Sequence, residues 1–231
     1  MSQEVLFDLA EEYTEMLNRG IRLSGESQDF FIEGRLRELS RALPDLNPRR
    51  ILDFGCGLGK TAASLARIYP NAEILGIDTA ENAIAFAEKT YGSSRISFRP
   101  LDGFSERRTF DLAYCNGVFH HIAPAERAGA LNLVRRALKP RGFFSLFENN
   151  PWNPGTRMVM ARIPFDRDAV TLTPPELVRL VRESGFDVPR SPRSLFFYPR
   201  ALDFLRFSEP WLAPLPFGAQ YYVLARNKET D

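Results

Sequence analysis

The chain has 231 residues, 44% of them apolar and 26% charged, with a formal net charge of +1. That length suits one domain with a substantial core, and the balanced charge offers no footprint for nucleic acid or an acidic membrane surface. No run approaches the ~20 apolar residues that span a bilayer. The first residues also lack a basic segment followed by an apolar one, so a soluble cytoplasmic protein is expected.

Residues 4–19 place Leu6, Leu9, Tyr13, Met16 and Leu17 at helical spacing with acids between them, which predicts an amphipathic helix. A second helix is predicted from Gln28 to Leu43, after the Ser24-Gly25-Glu26-Ser27 turn and before Pro44 and Pro48. Residues 1–44 thus read as an N-terminal helical cap. Strand and helix then alternate, the pattern of a parallel sheet with right-handed crossovers. Strands are predicted at 51–54, 73–77, 95–99, 110–115 and 142–148, and helices at 58–69, 80–90, 124–138 and 176–184. Segments near 186–188 or 195–198, and at 219–226, would complete the sheet. Two stretches fall outside this rhythm, 149–173 and 199–218, and loops of that length inside a domain are usually functional lids. Trp152, Met158, Met160, Phe204, Phe207 and Trp211 within them suggest a cover over a partly apolar small molecule. Arg157, Arg162 and Arg167 offer charges for a carboxylate or phosphate.

The most informative stretch is Arg50-Ile-Leu-Asp-Phe-Gly-Cys-Gly-Leu-Gly-Lys60, a strand followed by a glycine-rich turn into a helix. Such turns are where open α/β sheets bind nucleotide-like cofactors. A phosphate-cradling loop would need glycine where Phe54 stands, and the dinucleotide fingerprint would need glycine at Lys60. What remains is D-x-G-x-G-x-G, with Asp53 two residues before Gly55. A carboxylate there repels a pyrophosphate and suits a ligand carrying an ammonium group. Gly55, Cys56, Gly57 and Gly59 are accordingly cofactor-binding candidates. Asp78, with Thr79 beside it, ends the second strand, where an acid accepts hydrogen bonds from ribose hydroxyls or stabilises a helix N-terminus. The two cysteines, Cys56 and Cys115, suggest neither a metal site nor a disulfide framework.

His120 and His121 are the chain's two histidines and follow the fourth strand, at the switch point facing the glycine loop. Imidazole accepts a proton near neutral pH, so either is a candidate base, His120 first. Glu148 ends the fifth strand at the same edge and is the third candidate. Asn149, Asn150, Trp152 and Arg157 begin the first lid and are candidates for the substrate.

The glycine loop with Asp53 resembles motif I of the class I S-adenosylmethionine-dependent methyltransferases, and the resemblance extends over about residues 45–190. It implies a Rossmann-like, seven-stranded α/β sheet in the order 3-2-1-4-5-7-6 with the last strand antiparallel. The cofactor it implies is S-adenosyl-L-methionine, with S-adenosyl-L-homocysteine as product, and the partner is a small-molecule methyl acceptor. It also implies that Tyr13 closes over the cofactor, that Asp102 with Gly103 and Phe104 meets the adenine, that backbone groups at Cys115 and Asn116 hold the methionine end, and that Phe119 lies near the sulfonium. The run Phe147-Glu-Asn-Asn-Pro-Trp-Asn-Pro-Gly-Thr-Arg157 is similar to a bacterial small-molecule subgroup from natural-product and surface-saccharide pathways, with Asn149 where histidine is frequent. Methyl transfer to oxygen or nitrogen is the implied reaction. Two other readings are an NAD-dependent oxidoreductase, which leaves Asp53 without a reason, and a cofactor-binding protein without catalysis.

Overall fold

A computed structural model describes residues 10–228, with the side chains of residues 10–14 and Phe165 outside the description. The expected alternation is present. Strand β1 (Arg50–Phe54) leads to helix α3 (Lys60–Ile68), β2 (Glu73–Asp78) to α4 (Glu81–Tyr91), and then come β3 (Ile96–Pro100) and β4 (Phe110–Asn116). Helix α5 (Arg127–Ala137) runs directly into β5 (Leu138–Asn149), followed by α6 (Pro154–Met160) and α7 (Pro174–Glu183). Ahead of the sheet stand α1 (Ala10–Ile21) and α2 (Gln28–Ala42). The short strands β6 (Phe186–Asp187) and β7 (Arg193–Leu195), the single turn α8 (Glu209–Leu212) and β8 (Gln220–Asn227) close the chain. Among the described residues, no helix is long and apolar enough to cross a membrane.

The strand order is β3-β2-β1-β4-β5-β8-β6, with β7 also paired to β8. This is the expected order with one strand added. The two alternatives for the sixth strand both form, because β8 is long enough to carry β6 at Asn227 and Arg226 and β7 from Tyr222 to Gln220. Pro189 and Pro192 lie between the two short strands, and their missing N–H groups bar a continuous ladder.

Burial follows from the parallel architecture, in which strands covered on both faces lose their polar side. Alternate residues supply two cores. Leu52, Ala113, Leu146 and Val223 face α5 and α7 through Leu131, Val134, Leu177 and Val181. Ile51, Leu112 and Tyr114 face α2 and α3 through Leu36, Leu39, Ala62 and Leu65. Helix α7 starts sharply because Thr173 and Glu176 form a capping box and Pro174 fills the first turn.

Parallel pairing sends the carboxyl ends of β1, β2, β4 and β5 to one edge of the sheet. Gly55, Asp78, Asn116 and Glu148 therefore meet there, although up to 93 positions separate them in sequence. That common edge is the reason a site exists.

Candidate functional site

A cavity of about 520 Å³ opens at this edge, within the size range of small-molecule sites. The glycine loop, Asp53, Tyr114, Asn116, Gly117, His120 and His121 line it from the sheet side. Leu17 and Ile21 of α1, Phe30, Phe31 and Arg35 of α2, Met158 and Met160 of α6, and residues 196–199 form the other walls. Apolar rings thus surround a polar floor.

The loop is shaped by its glycines and held by β2. The amides of Gly55 and Cys56 both donate to the Ile77 carbonyl, at 2.8 and 3.1 Å, and Gly57 donates to Asp78 Oδ2 at 2.8 Å. Asp78 Oδ1 accepts from Ala80 at 3.0 Å, so this acid ties the loop to the start of α4. Each oxygen keeps a further acceptor position. Gly55 and Gly57 differ in what a side chain would meet there. A Cβ on Gly55 would come within 2.2 Å of Val118, whereas one on Gly57, at φ +50°, would meet nothing within 4 Å. Gly57→Ala is therefore expected to cost only about 1–2 kcal/mol of stability, from the left-handed backbone. It should nevertheless weaken ligand binding at least about tenfold by filling the space beside the loop. Calorimetric titration beside a thermal melt separates the two effects.

Asp53 lies at the centre of this floor, 2% exposed. Its Oδ2 has no hydrogen-bond partner, and neither does Asn116 Oδ1. Burial raises the Asp53 pKa most, the charge of Asp78 adds to it and Arg35 opposes it, leaving the value at about 7. A buried carboxylate oxygen without a partner, beside an open cradle, suits a cationic ligand group. Arg35 is itself buried and donates to Tyr114 Oη at 3.1 Å and Gln220 Oε1 at 3.0 Å, while Gln220 Nε2 donates to Asn149 Oδ1 at 3.1 Å. Arg35, Tyr114 and Gln220 had no motif to announce them. They meet because α2 packs across β4 and β8.

Beyond Asn116 the chain turns into the histidine pair. His120 is 3% exposed, with Nδ1 2.6 Å from Glu148 Oε2 and Nε2 3.5 Å from Asp166 Oδ1. His121 Nε2 is 3.3 Å from the same Asp166 oxygen. Burial works against a charged His120 ring, but Glu148 and Asp166 outweigh it and push the pKa up to about 10. Asp166 is also buried, yet the two histidines hold its carboxyl below the ordinary range. Both ring nitrogens of His120 thus face carboxylates, Nδ1 towards Glu148 and Nε2 towards Asp166. Glu148 also accepts the Phe119 amide at 2.8 Å. It is 1% exposed and absent from the cavity lining, so it lies behind His120. Asp166 comes from the 3₁₀ turn Pro164–Asp166 of the first lid, and no spacing in the sequence pointed to it.

Several other expected residues contribute no side chain to the cavity lining. The side chains of Cys115 and Phe119 are fully buried, the Phe119 ring 6.1 Å from that of Phe54, so neither lines the cavity, while the expectation for Cys115 concerns its backbone. Asn150 is buried and donates to the Pro216 and Gly218 carbonyls at 2.9 and 2.8 Å. With Asn153 and Thr156, which donate to the Phe217 and Ala219 carbonyls, it stitches the two lids together. The Asn-Pro run is thus a seam in which Asn153 and Thr156, not Asn150, border the cavity. Trp152 and Arg157 are exposed outside it, as are Phe204, Phe207, Trp211 and Phe217, which are 62–73% exposed. Glu209 accepts the amides of Phe197 and Tyr198, and Arg206 donates to the Tyr198 carbonyl. This makes 196–199 the wall and turns the later aromatic residues outward. Asp102 and Gly103 are exposed beyond β3, with the Phe104 ring 6.3 Å from that of Phe110. Tyr13 falls on α1, its side chain outside the described ones.

Comparison with known proteins agrees with this geometry. Residues 52–144 match the family described as a methyltransferase domain. The chain is 30% identical to a ubiquinone biosynthesis O-methyltransferase of Alkalilimnicola ehrlichii, over 71% of each chain. It is 27% identical to a demethylmenaquinone methyltransferase of Thermotoga maritima, covering 83% of this chain and 90% of that one. Three other curated relatives are spanned over only 47, 26 and 38% of their lengths. Among solved structures, phosphoethanolamine N-methyltransferase 2 of Haemonchus contortus in complex with S-adenosyl-L-methionine superposes with a TM-score of 0.68. The identity is 16%, covering 99% of this chain and 60% of that one.

Proposed function

The chain belongs to the class I S-adenosylmethionine-dependent methyltransferases, and from that premise we propose that it transfers a methyl group to an oxygen of a partly apolar small molecule, with nitrogen as the second possibility. The observation that carries this reading is the single cavity joining the Asp53 floor to an aromatic wall across the histidine pair. S-adenosyl-L-methionine fits the residues present, because Asp53 is a buried acceptor lacking a partner beside the open space at Gly57. Asp53 would hold the ammonium, Asn116 the rest of the amino-acid end, the loop from Gly55 to Gly59 the middle of the molecule, Asp78 with Thr79 the ribose, and Asp102 with Gly103 and Phe104 the adenine. When bound, the cofactor supplies a methyl group on a sulfonium, already activated for displacement.

The protein's own contribution is then mainly alignment and exclusion of water, which can remove several kcal/mol of barrier. Phe30, Phe31, Phe196, Tyr198 and Met160 would enclose the apolar part of the acceptor. His121, the more open of the pair, would stand beside the reacting oxygen, with Glu148 positioning His120 behind it. Relatives named for ubiquinone and demethylmenaquinone pathways favour an acceptor with a hydroxylated ring and an apolar substituent. Natural-product and surface-saccharide intermediates are the other acceptor classes for the same site.

Parallel calorimetry with S-adenosylhomocysteine and NAD tests the cofactor. A single-site response to S-adenosylhomocysteine with none to NAD is expected. Tight NAD binding without the other response would overturn the assignment. Incubation with S-adenosylmethionine and a panel of phenols, sugars and amines should then release S-adenosylhomocysteine in step with a methylated phenol.

A further inference from the structure

We propose that His120, His121 and Asp166 bind one divalent transition-metal ion of the zinc type, with Glu148 as the outer partner of His120 and one coordination position open to the cavity. Ligand atoms of these three residues lie within 4.8 Å of one another. All three line the cavity, whereas Glu148 does not.

Distances separate a metal site from a hydrogen-bonded cluster. A charge-assisted N–H···O bond spans about 2.7–2.9 Å, and the His120–Glu148 contact at 2.6 Å is of that kind. The two contacts to Asp166 Oδ1, at 3.5 Å from His120 and 3.3 Å from His121, are too long for it. They match instead the edge of a tetrahedron around an ion. Ligands about 2.0–2.2 Å from zinc stand about 3.3–3.6 Å apart when the geometry is tetrahedral.

The surroundings supply what such a site requires. Glu148 engages Nδ1 of His120, which leaves Nε2 as the nitrogen facing Asp166. A carboxylate on the far nitrogen of a metal-binding histidine is the usual device for fixing its orientation and raising its basicity. The segment carrying Asp166 is fastened to the histidine turn, since the Val170 amide donates to the His120 carbonyl at 2.9 Å and Arg127 donates to the Ile122 and Val170 carbonyls. Three protein ligands with a fourth position open is the pattern of reactive rather than structural zinc sites. Because all three residues line the cavity, an open position there would face the space that the proposed function assigns to the acceptor, whose oxygen is the natural fourth ligand.

The test uses the full chain, stripped with a chelator and titrated with Zn²⁺ against a competing indicator, and separately with Co²⁺ followed by its visible absorption. One equivalent per chain and the intense absorption of tetrahedral Co²⁺ are expected. Because these are the chain's two histidines, background binding is low. Asp166→Asn and His121→Ala should each weaken zinc more than about 100-fold, and Glu148→Gln about 10–100-fold. His121 lies nearer the surface than His120, so His121→Ala remains informative if Asp166→Asn does not fold, as circular dichroism would report. No stoichiometric uptake by the folded native chain, or unchanged uptake by both ligand variants, would overturn the proposal. S-adenosylhomocysteine binding is read independently, so a chain that binds it without zinc leaves the methyltransferase reading standing and removes only the metal site.

Discussion

Asp53→Asn is expected to weaken S-adenosylhomocysteine binding by about 100-fold or more, the usual result of removing one partner of a buried charge pair. The same change should make the ligand-free protein more stable. Asp53 is a buried acid whose pKa rises from 3.8 to about 7 on folding. The folded state therefore binds its proton more tightly than the unfolded chain does. Its contribution is full below about pH 4, declines as the pH rises from 4 to 7, and stays at its low value above that. At about 1.4 kcal/mol per pH unit, the ionised group costs on the order of 4 kcal/mol at pH 8. An uncharged amide of the same shape avoids most of that cost, and a rise in melting temperature of about 5–10 °C at pH 8 is expected, with little gain at pH 4. The native protein should also bind S-adenosylhomocysteine about tenfold more weakly at pH 6 than at pH 8, because the carboxylate is then mostly protonated. Calorimetry and thermal melts across this range check both limbs. Asp53→Asn that binds within a few-fold of native would remove Asp53 from the cofactor site.

Glu148→Ala is expected to be the most destabilising single change at the site. Glu148 accepts from His120 at 2.6 Å and from the Phe119 amide at 2.8 Å while almost fully buried. Its removal leaves a buried ring facing Asp166 alone and an amide without its acceptor. Breaking a buried pair in this way costs about 3–5 kcal/mol, which for a chain of this size lowers the melting temperature by about 10 °C. Glu148→Gln keeps an acceptor for the Phe119 amide and should recover part of that loss. Denaturant melts of the two variants beside the native chain measure the difference. Equal stability of Glu148→Ala and native protein would mean that the Glu148–His120 contact contributes nothing to the fold.

Such paired effects explain why Asp53 and Glu148 look unfavourable as core residues. Each sits in a layer that its strand neighbours fill with apolar side chains, and each carries a charge that folding alone does not require. Asp53 Oδ2 is left without a hydrogen-bond partner. Glu148 has its partners in place and holds the turn after β4 in one geometry.

Much of this protein is determined by local sequence. The alternation of apolar strands with amphipathic helices decides the parallel sheet, because one period of two and another near 3.6 are written into neighbouring residues. The turn from Asp53 to Lys60 decides where open backbone surface lies at the sheet edge, because positive backbone angles and the absence of Cβ atoms are properties of the glycines themselves. Tertiary structure alone decided the rest. Asp166 reaches His120 across 46 positions and Arg35 reaches Tyr114 across 79, and no spacing rule links residues brought together by packing of separate elements. Phe204, Phe207 and Trp211 read as a cover from composition, yet an aromatic residue packs equally well on either side of a wall. Hydrogen bonds from Arg206 and to Glu209 set which side they occupy. Chain chemistry named the groups able to act, and their distances across the sheet edge, fixed by long-range packing, selected the ones that meet.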